Sequence, residues 1–198
     1  MLSKGEQTKR FILERSAALF NKKGIAGTSM SDIMDATKLA KGSLYLHFEN
    51  KEVLVNAAVD YNLQILKDKI DQSLKKHRSN YDKLIAYVDT FKNPNSHKFE
   101  GGCPMMNFGT EADDTNPVVK NRINQSVCSS QRFLEEIIEN GIKEKEFEPS
   151  WDAKGFATIA FAMIEGGIMI CRVSGNDDKM QVINRELKKM ITENYLLK

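Results

Sequence analysis

Proline is scarce: there are four in 198 residues, Pro94, Pro104, Pro117 and Pro149, all beyond residue 90. Nothing before that point forbids long helices, since an interior proline removes an N–H and clashes with the preceding turn. Cysteine is scarce too. Cys103, Cys128 and Cys171 are an odd, widely spaced set without a CxxC pair, which argues against a disulfide framework and for reduced thiols. The three histidines, His47, His77 and His97, form no HxH or HxxxH pair, so no local zinc site is spelled out. No run approaches the roughly 18 uninterrupted apolar residues of a membrane span; even Phe156 to Ile170 is broken by Thr158, Glu165 and a Gly pair. Residues 1–10 are polar and charged, unlike the apolar core of a signal peptide. The expectation is a cytoplasmic protein with no membrane partner, no metal and no cofactor.

Charge of one sign is also missing, for the chain as a whole is only +2. Its distribution is uneven. Residues 1–55 hold nine Lys/Arg against six Asp/Glu, while the rest holds 20 against 21. A basic excess confined to one short segment fits an N-terminal module that faces nucleic acid, followed by a neutral one.

What is present is helical periodicity nearly throughout, so the fold class expected is all-α with about nine helices. Phe11, Ile12, Leu19 and Phe20 give a first helix from about Gly5 to Lys23, with Gly24 as its stop. Ser29 and Asp32 form a capping-box pattern before a short helix ending near Thr37. A third fits Lys41 to His47. Glu49-Asn50 cap a long fourth, with Val59, Leu63, Leu66, Ile70 and Leu74 as its stripe. Further helices are expected over Tyr81–Phe91, Cys103–Asp114, from Pro117 to about Lys145, from Pro149-Ser150 to about Arg172, and after Asn176-Asp177.

The informative stretch is Thr28 to Lys51. Two short helices joined by a tight turn, the second too short to stand alone, make sense as a helix-turn-helix braced by helices one and four. Such a module puts the start of its second helix into the DNA major groove. Lys41 supplies charge there, Gly42 lets the backbone approach, Ser43 can meet a base edge or phosphate, and Tyr45 can donate its hydroxyl to a phosphate. Leu44, Phe48 and Leu54 read as core.

The run Lys41-Gly42-Ser43-Leu44-Tyr45-Leu46-His47-Phe48-Glu49-Asn50-Lys51-Glu52-Val53-Leu54 resembles the signature of TetR/AcrR-family transcriptional regulators. Thr28-Ser29-Met30-Ser31-Asp32-Ile33 and Ile12-Leu13…Leu19-Phe20…Gly24 resemble the segments before it, so the likeness spans roughly residues 8–55. Gly101-Gly102-Cys103-Pro104-Met105-Met106-Asn107, with Glu111-Ala112-Asp113 behind it, resembles the ligand-binding domain of one branch of that family. The resemblance implies an all-α homodimer, most members being repressors released from operator DNA when a small molecule enters the C-terminal domain. It implies a DNA-binding domain over 1–50 and a ligand-binding and dimerisation domain over 51–198. It places Thr28 and Ser29 on phosphate, Lys41, Gly42, Ser43 and Tyr45 along the groove, and His47 and Lys51 at the backbone rim. Lys38 departs from the glycine common at that turn; a left-handed lysine there costs on the order of 1 kcal/mol, and its charge can meet a phosphate.

For the effector, the expected lining is Met105, Met106, Phe108, Phe133, Phe161 and Met163, because methionine and flat rings repack around varied ligands. Glu111 and Glu165 sit amid apolar neighbours and are expected to orient the ligand. The last two helices, with Ile159, Ala160, Met163, Ile164, Gly167 and Ile170 and the stripe Met180, Ile183, Leu187, Met190 and Ile191, are the expected dimer contact. One rival reading is a cytosolic thiol enzyme or redox sensor using Cys103, with His97 as base. No oxyanion-hole motif, P-loop or GxSxG accompanies it.

Overall fold

The computed structural model describes residues 3–96 and 101–196. Among these residues the regular elements are nine helices: α1 (Lys4–Lys23), α2 (Met30–Thr37), α3 (Lys41–His47), α4 (Lys51–Leu74), α5 (Asn80–Thr90), α6 (Pro104–Ala112), α7 (Pro117–Lys143), α8 (Ala153–Ser174) and α9 (Asp178–Glu193). One isolated antiparallel bridge pairs Phe147 with Tyr195. His97, the base of the rival thiol reading, lies outside the described residues.

Caps fix most of the ends. Ser3 and Glu6 close a capping box on α1, Ser29 and Asp32 another on α2, and Ser79 accepts the Asp82 N–H at the start of α5. The helix expected to open at Pro149-Ser150 begins later. Asp152 caps α8 by accepting the Gly155 N–H, and a carbonyl–amide bond from Trp151 N–H to Glu148 O holds the proline in a turn ahead of it.

The chain forms two compact units: Met1–Leu66 with Pro104–Asn124, and Lys67–Cys103 with Gln125–Lys198. The expected division after residue 50 falls where α4 begins, whereas the first unit runs on along α4 to Leu66 and takes in α6 and the start of α7. Its core gathers Ile12, Ala17, Phe20, Ile33, Leu44, Phe48, Leu54, Ala58, Phe108 and Val119. Asn107 of α6 donates to Asn21 O of α1 at 3.0 Å, and Arg122 of α7 donates to Asn56 O at 3.1 Å and pairs with Asp60 on α4.

In the second unit α9 packs against both α5 and α8. Gly167 makes the α8–α9 approach close, since a Cβ there would lie 2.7 Å from Ile183 Cδ1 and 2.8 Å from Met180 Cε. Helix α8 is long and apolar enough by composition to cross a membrane, despite the interruptions read in its sequence. One face is nevertheless core: Phe156, Ala157, Ala160, Ile164, Gly167, Ile168 and Cys171 are buried.

Candidate nucleic-acid interface

Helix α3 is seven residues long, so tertiary contacts hold it. Leu44 and Phe48 sink into the first unit's core, at 1% and 2% exposure. That anchoring turns the opposite side outward: Lys41, Gly42, Tyr45 and Leu46 are exposed, and Ser43 and His47 half-buried. The Lys41 ammonium stands 5.8 Å from the centre of the Tyr45 ring, which keeps charge and hydroxyl on one edge. Ala40 caps the helix without a side-chain acceptor. Leu46 is 81% exposed, and the reading of the sequence had not counted it among the contacts. The signal was available, because a residue two places after a core leucine lies on the far side of a helix.

The turn between α2 and α3 passes through the left-handed region at one residue. Lys38 sits at φ 58°, ψ 25°, the left-handed C-cap of α2, with its N–H donating to Met34 O at 2.8 Å. Lys38→Gly is expected to relieve about 1 kcal/mol of backbone strain and raise the melting temperature by about 2–4 °C. A thermal melt showing a decrease would contradict the strain argument. At the other end of α2, the Lys23 ammonium lies 2.7 Å from Asp32. That bond first, and Ser29 second, hold the Asp32 carboxyl far below the usual carboxylate range.

Three expected site residues are placed differently. Thr28, expected on phosphate, is fully buried and donates to Gly24 O at 2.7 Å, so it stitches its own turn instead of facing outward. Lys51, at the first position of α4, donates to Ile25 O at 2.7 Å. Glu111, expected on the ligand, is in the first unit, its carboxylate taking the N–H groups of Ile25 and Ala26 at 2.7 Å each. The Lys51 and Glu111 contacts join residues 26 to 86 positions apart, beyond the reach of any local pattern, whereas the Thr28 bond closes over four residues.

The expected ligand residues fall in both units. Met105 and Phe108 are buried in the first, with Met106 half-buried. Phe133, Phe161, Met163 and Glu165 are half-buried in the second. Phe133 lines an open groove of about 730 Å³ with residues of α4, α5 and α7, including Asp68, Asp71 and Ile137. Its ring also lies 6.4 Å from that of Tyr87. Burial pushes the Glu165 carboxyl up, against the Cys103 thiol that donates to Oε1 at 3.1 Å. Oε2 of Glu165 is buried without a hydrogen-bond partner. Tyr87 is raised by its own burial, then by the charges of Glu165 and Cys103. A buried thiol against a carboxylate lacks the electropositive surroundings that activate cysteine nucleophiles. Cys103 therefore sits in a poor setting for the rival thiol chemistry. Among the described residues, no group of three or more His, Cys, Asp or Glu could hold a metal ion.

A short, core-anchored helix with a basic, hydroxyl-bearing outer edge, following a capped partner across a left-handed turn, defines a helix-turn-helix DNA-binding protein. Residues 12–58 match the family described as bacterial regulatory proteins, tetR family, and residues 80–187 match the tetracyclin repressor-like C-terminal domain. The chain belongs to the TetR family of transcriptional regulators, whose members are DNA-binding proteins and not enzymes. The crystal structure of a TetR regulator from Chloroflexus aurantiacus is similar over 100% of both chains, with 34% identity and a TM-score of 0.94. A TetR-family regulator from Cytophaga hutchinsonii is 35% identical, again over 100% of both chains, with a TM-score of 0.92. IcaR of Staphylococcus epidermidis, a negative regulator of the biofilm operon icaADBC, is 34% identical over 81 residues, 41% of this chain and 42% of that one. The protein is a DNA-binding transcriptional regulator.

Proposed function

We propose that the protein is a homodimeric repressor that grips a palindromic operator with two copies of α3 and is released by a small-molecule effector. The observation that carries this reading is the division of α3 into a buried Leu44–Phe48 side and an exposed Lys41–Tyr45–Leu46 side. Two such helices about 34–36 Å apart meet successive major grooves. Lys38 and Lys41 supply charge to phosphates, Ser29 and Tyr45 hydroxyls, and His47 an imidazole at the rim. Gly42 lets the backbone come close, Ser43 reaches a base edge, and Leu46 packs against a thymine methyl.

Dimerisation through α8 and α9 is favoured by what α8 leaves uncovered. Ile159, Met169, Ile170 and Val173 are exposed, Ala162 and Gly166 continue the same row, and Val182 of α9 is exposed as well. The two adjacent glycines divide the work, Gly167 meeting α9 within the chain and Gly166 facing open space. The effector is proposed to bind in the second unit, with Phe133, Phe161 and Met163 as apolar walls and Glu165 orienting it. Operator affinity then falls by the effector's preference for the released state, typically 1–3 kcal/mol of coupling. The reading places the protein where the DNA is, in the cytoplasm.

The test uses the duplex that the wild-type protein selects from a random pool. Tyr45→Phe and Lys41→Ala are each expected to weaken binding roughly tenfold, with the salt slope of Lys41→Ala smaller by about 1. Leu46→Ala is expected to relax preference at one base position. Unchanged affinity for both Tyr45→Phe and Lys41→Ala would remove α3 from the interface.

A further inference from the structure

Between α1 and α2, residues 24–29 belong to neither helix, yet they fix where α2 begins and so where α3 points. Side chains from three directions hold this turn. Thr28 takes Gly24 O, Lys51 takes Ile25 O, and the Glu111 carboxylate spans two successive N–H groups, Oε2 on Ile25 and Oε1 on Ala26. Opposite charges from α4 and α6 thus bind the two sides of one short peptide stretch, and charge-assisted bonds of this kind are stronger than neutral ones. Gly24 makes room for the arrangement. It lies at φ 80°, and a Cβ there would sit 3.0 Å from Glu111 Oε2 and 3.2 Å from Oε1. One helical turn earlier on α6, Asn107 holds Asn21 at the end of α1, so α6 grips both the helix and the turn that follows.

We propose that Glu111 is a positioning residue for DNA binding: from α6 it fixes the α1–α2 turn, and through that turn the presentation of α3, without touching DNA. The inference rests on the DNA-binding reading and adds to it a residue outside the helix-turn-helix. It has an unusual sign. Removing a surface carboxylate from a DNA-binding module normally strengthens binding to a polyanion, whereas removing this one weakens it.

The experiment compares Glu111→Gln, Glu111→Ala and Asp113→Asn, the last removing one exposed negative charge just beyond the same helix. The wild-type protein and its selected duplex are measured first, so a failure to select any duplex reflects on the DNA-binding reading and not on Glu111. Glu111→Ala is expected to bind at least about tenfold more weakly, with Gln intermediate because it keeps one acceptor. Asp113→Asn is expected to bind equally or more tightly. Salt slopes are expected to match wild type, since no phosphate contact is lost. Amide exchange at Ile25 and Ala26 is expected to accelerate in both Glu111 variants while the exchange of α5, α8 and α9 is retained. Should Glu111→Ala fail to fold, the Gln variant decides alone. Tighter binding by the Glu111 variants, as for Asp113→Asn, would overturn the proposal, and so would faster turn exchange with operator affinity unchanged.

Discussion

Replacing Ile170 by aspartate is expected to turn the dimer into a monomer and to weaken operator binding by about a hundredfold or more. Ile170 stands in the exposed row of α8 between Gly166 and Val173, the latter 83% exposed. A contiguous exposed apolar row of this kind marks an interaction surface, and a stable homodimer covers about 800 Å² on each partner. Aspartate there would have to be desolvated without a counter-charge, which costs far more than the contact it replaces. Because the substituted side chain lies outside the monomer's core, the helical content of each chain is expected to survive. The loss in DNA affinity is a loss of linkage: two half-site contacts joined in one molecule become two independent, weaker ones. Sedimentation and gel-shift titration read both effects. A variant that remains dimeric with wild-type affinity would move the interface away from α8.

Glu146→Ala is expected to destabilise the fold by about 3 kcal/mol, lowering the melting temperature by roughly 6–12 °C. This buried carboxylate stands between α7 and α8 and accepts three hydrogen bonds from the start of α5: Asn80 N–H at 3.1 Å, Asn80 Nδ2 at 3.0 Å and Tyr81 N–H at 2.9 Å. The two backbone N–H groups are among the unpaired groups of a helix N-terminus, and alanine leaves them without this acceptor, while Asn80 Nδ2 keeps its 2.9 Å bond to Glu144 Oε2. Burial works to raise the Glu146 carboxyl, but the Tyr81 and Asn80 N–H groups outweigh it and hold it below its ordinary value near 4.5. A folded value lower than the unfolded one means the stabilisation is complete above pH 4.5 and is lost as pH falls through the folded value. Glu146→Gln is therefore expected to be less stable than wild type at neutral pH, with the gap closing on acidification. Melting curves at several pH values measure this, and a gap that widens toward low pH would reverse the assignment.

Local chemistry was legible where it was local. The Lys41–His47 helix, the Ser29–Asp32 capping box and the strained Lys38 turn can each be read within a few residues, because caps, glycines and helix length are short-range matters. The start of α8 was misplaced for the same reason. Pro149-Ser150 has the form of a helix opening, and only the Asp152 bond to Gly155 shows that the proline is spent in the turn before it. Glu111 is placed by tertiary packing that no local pattern shows, whereas Thr28 has a local partner, Gly24 O, and a local ambiguity. A threonine that caps and a threonine that donates back to a carbonyl look identical in sequence. A glutamate among apolar neighbours suggests a ligand until a distant turn is found to supply the two N–H groups it needs. Leu46 marks the opposite case, a residue whose outward position follows locally from the burial of Leu44 and Phe48.

The most direct measurement is the sequence that the wild-type protein selects from a random pool of duplexes, with its footprint. Two α3 helices held by one dimer should recover an inverted repeat whose half-site centres lie about one helical turn apart, protected on one face of the DNA. Recovery of single, unrepeated sites, or of duplexes without any shared sequence, would contradict paired groove reading by α3.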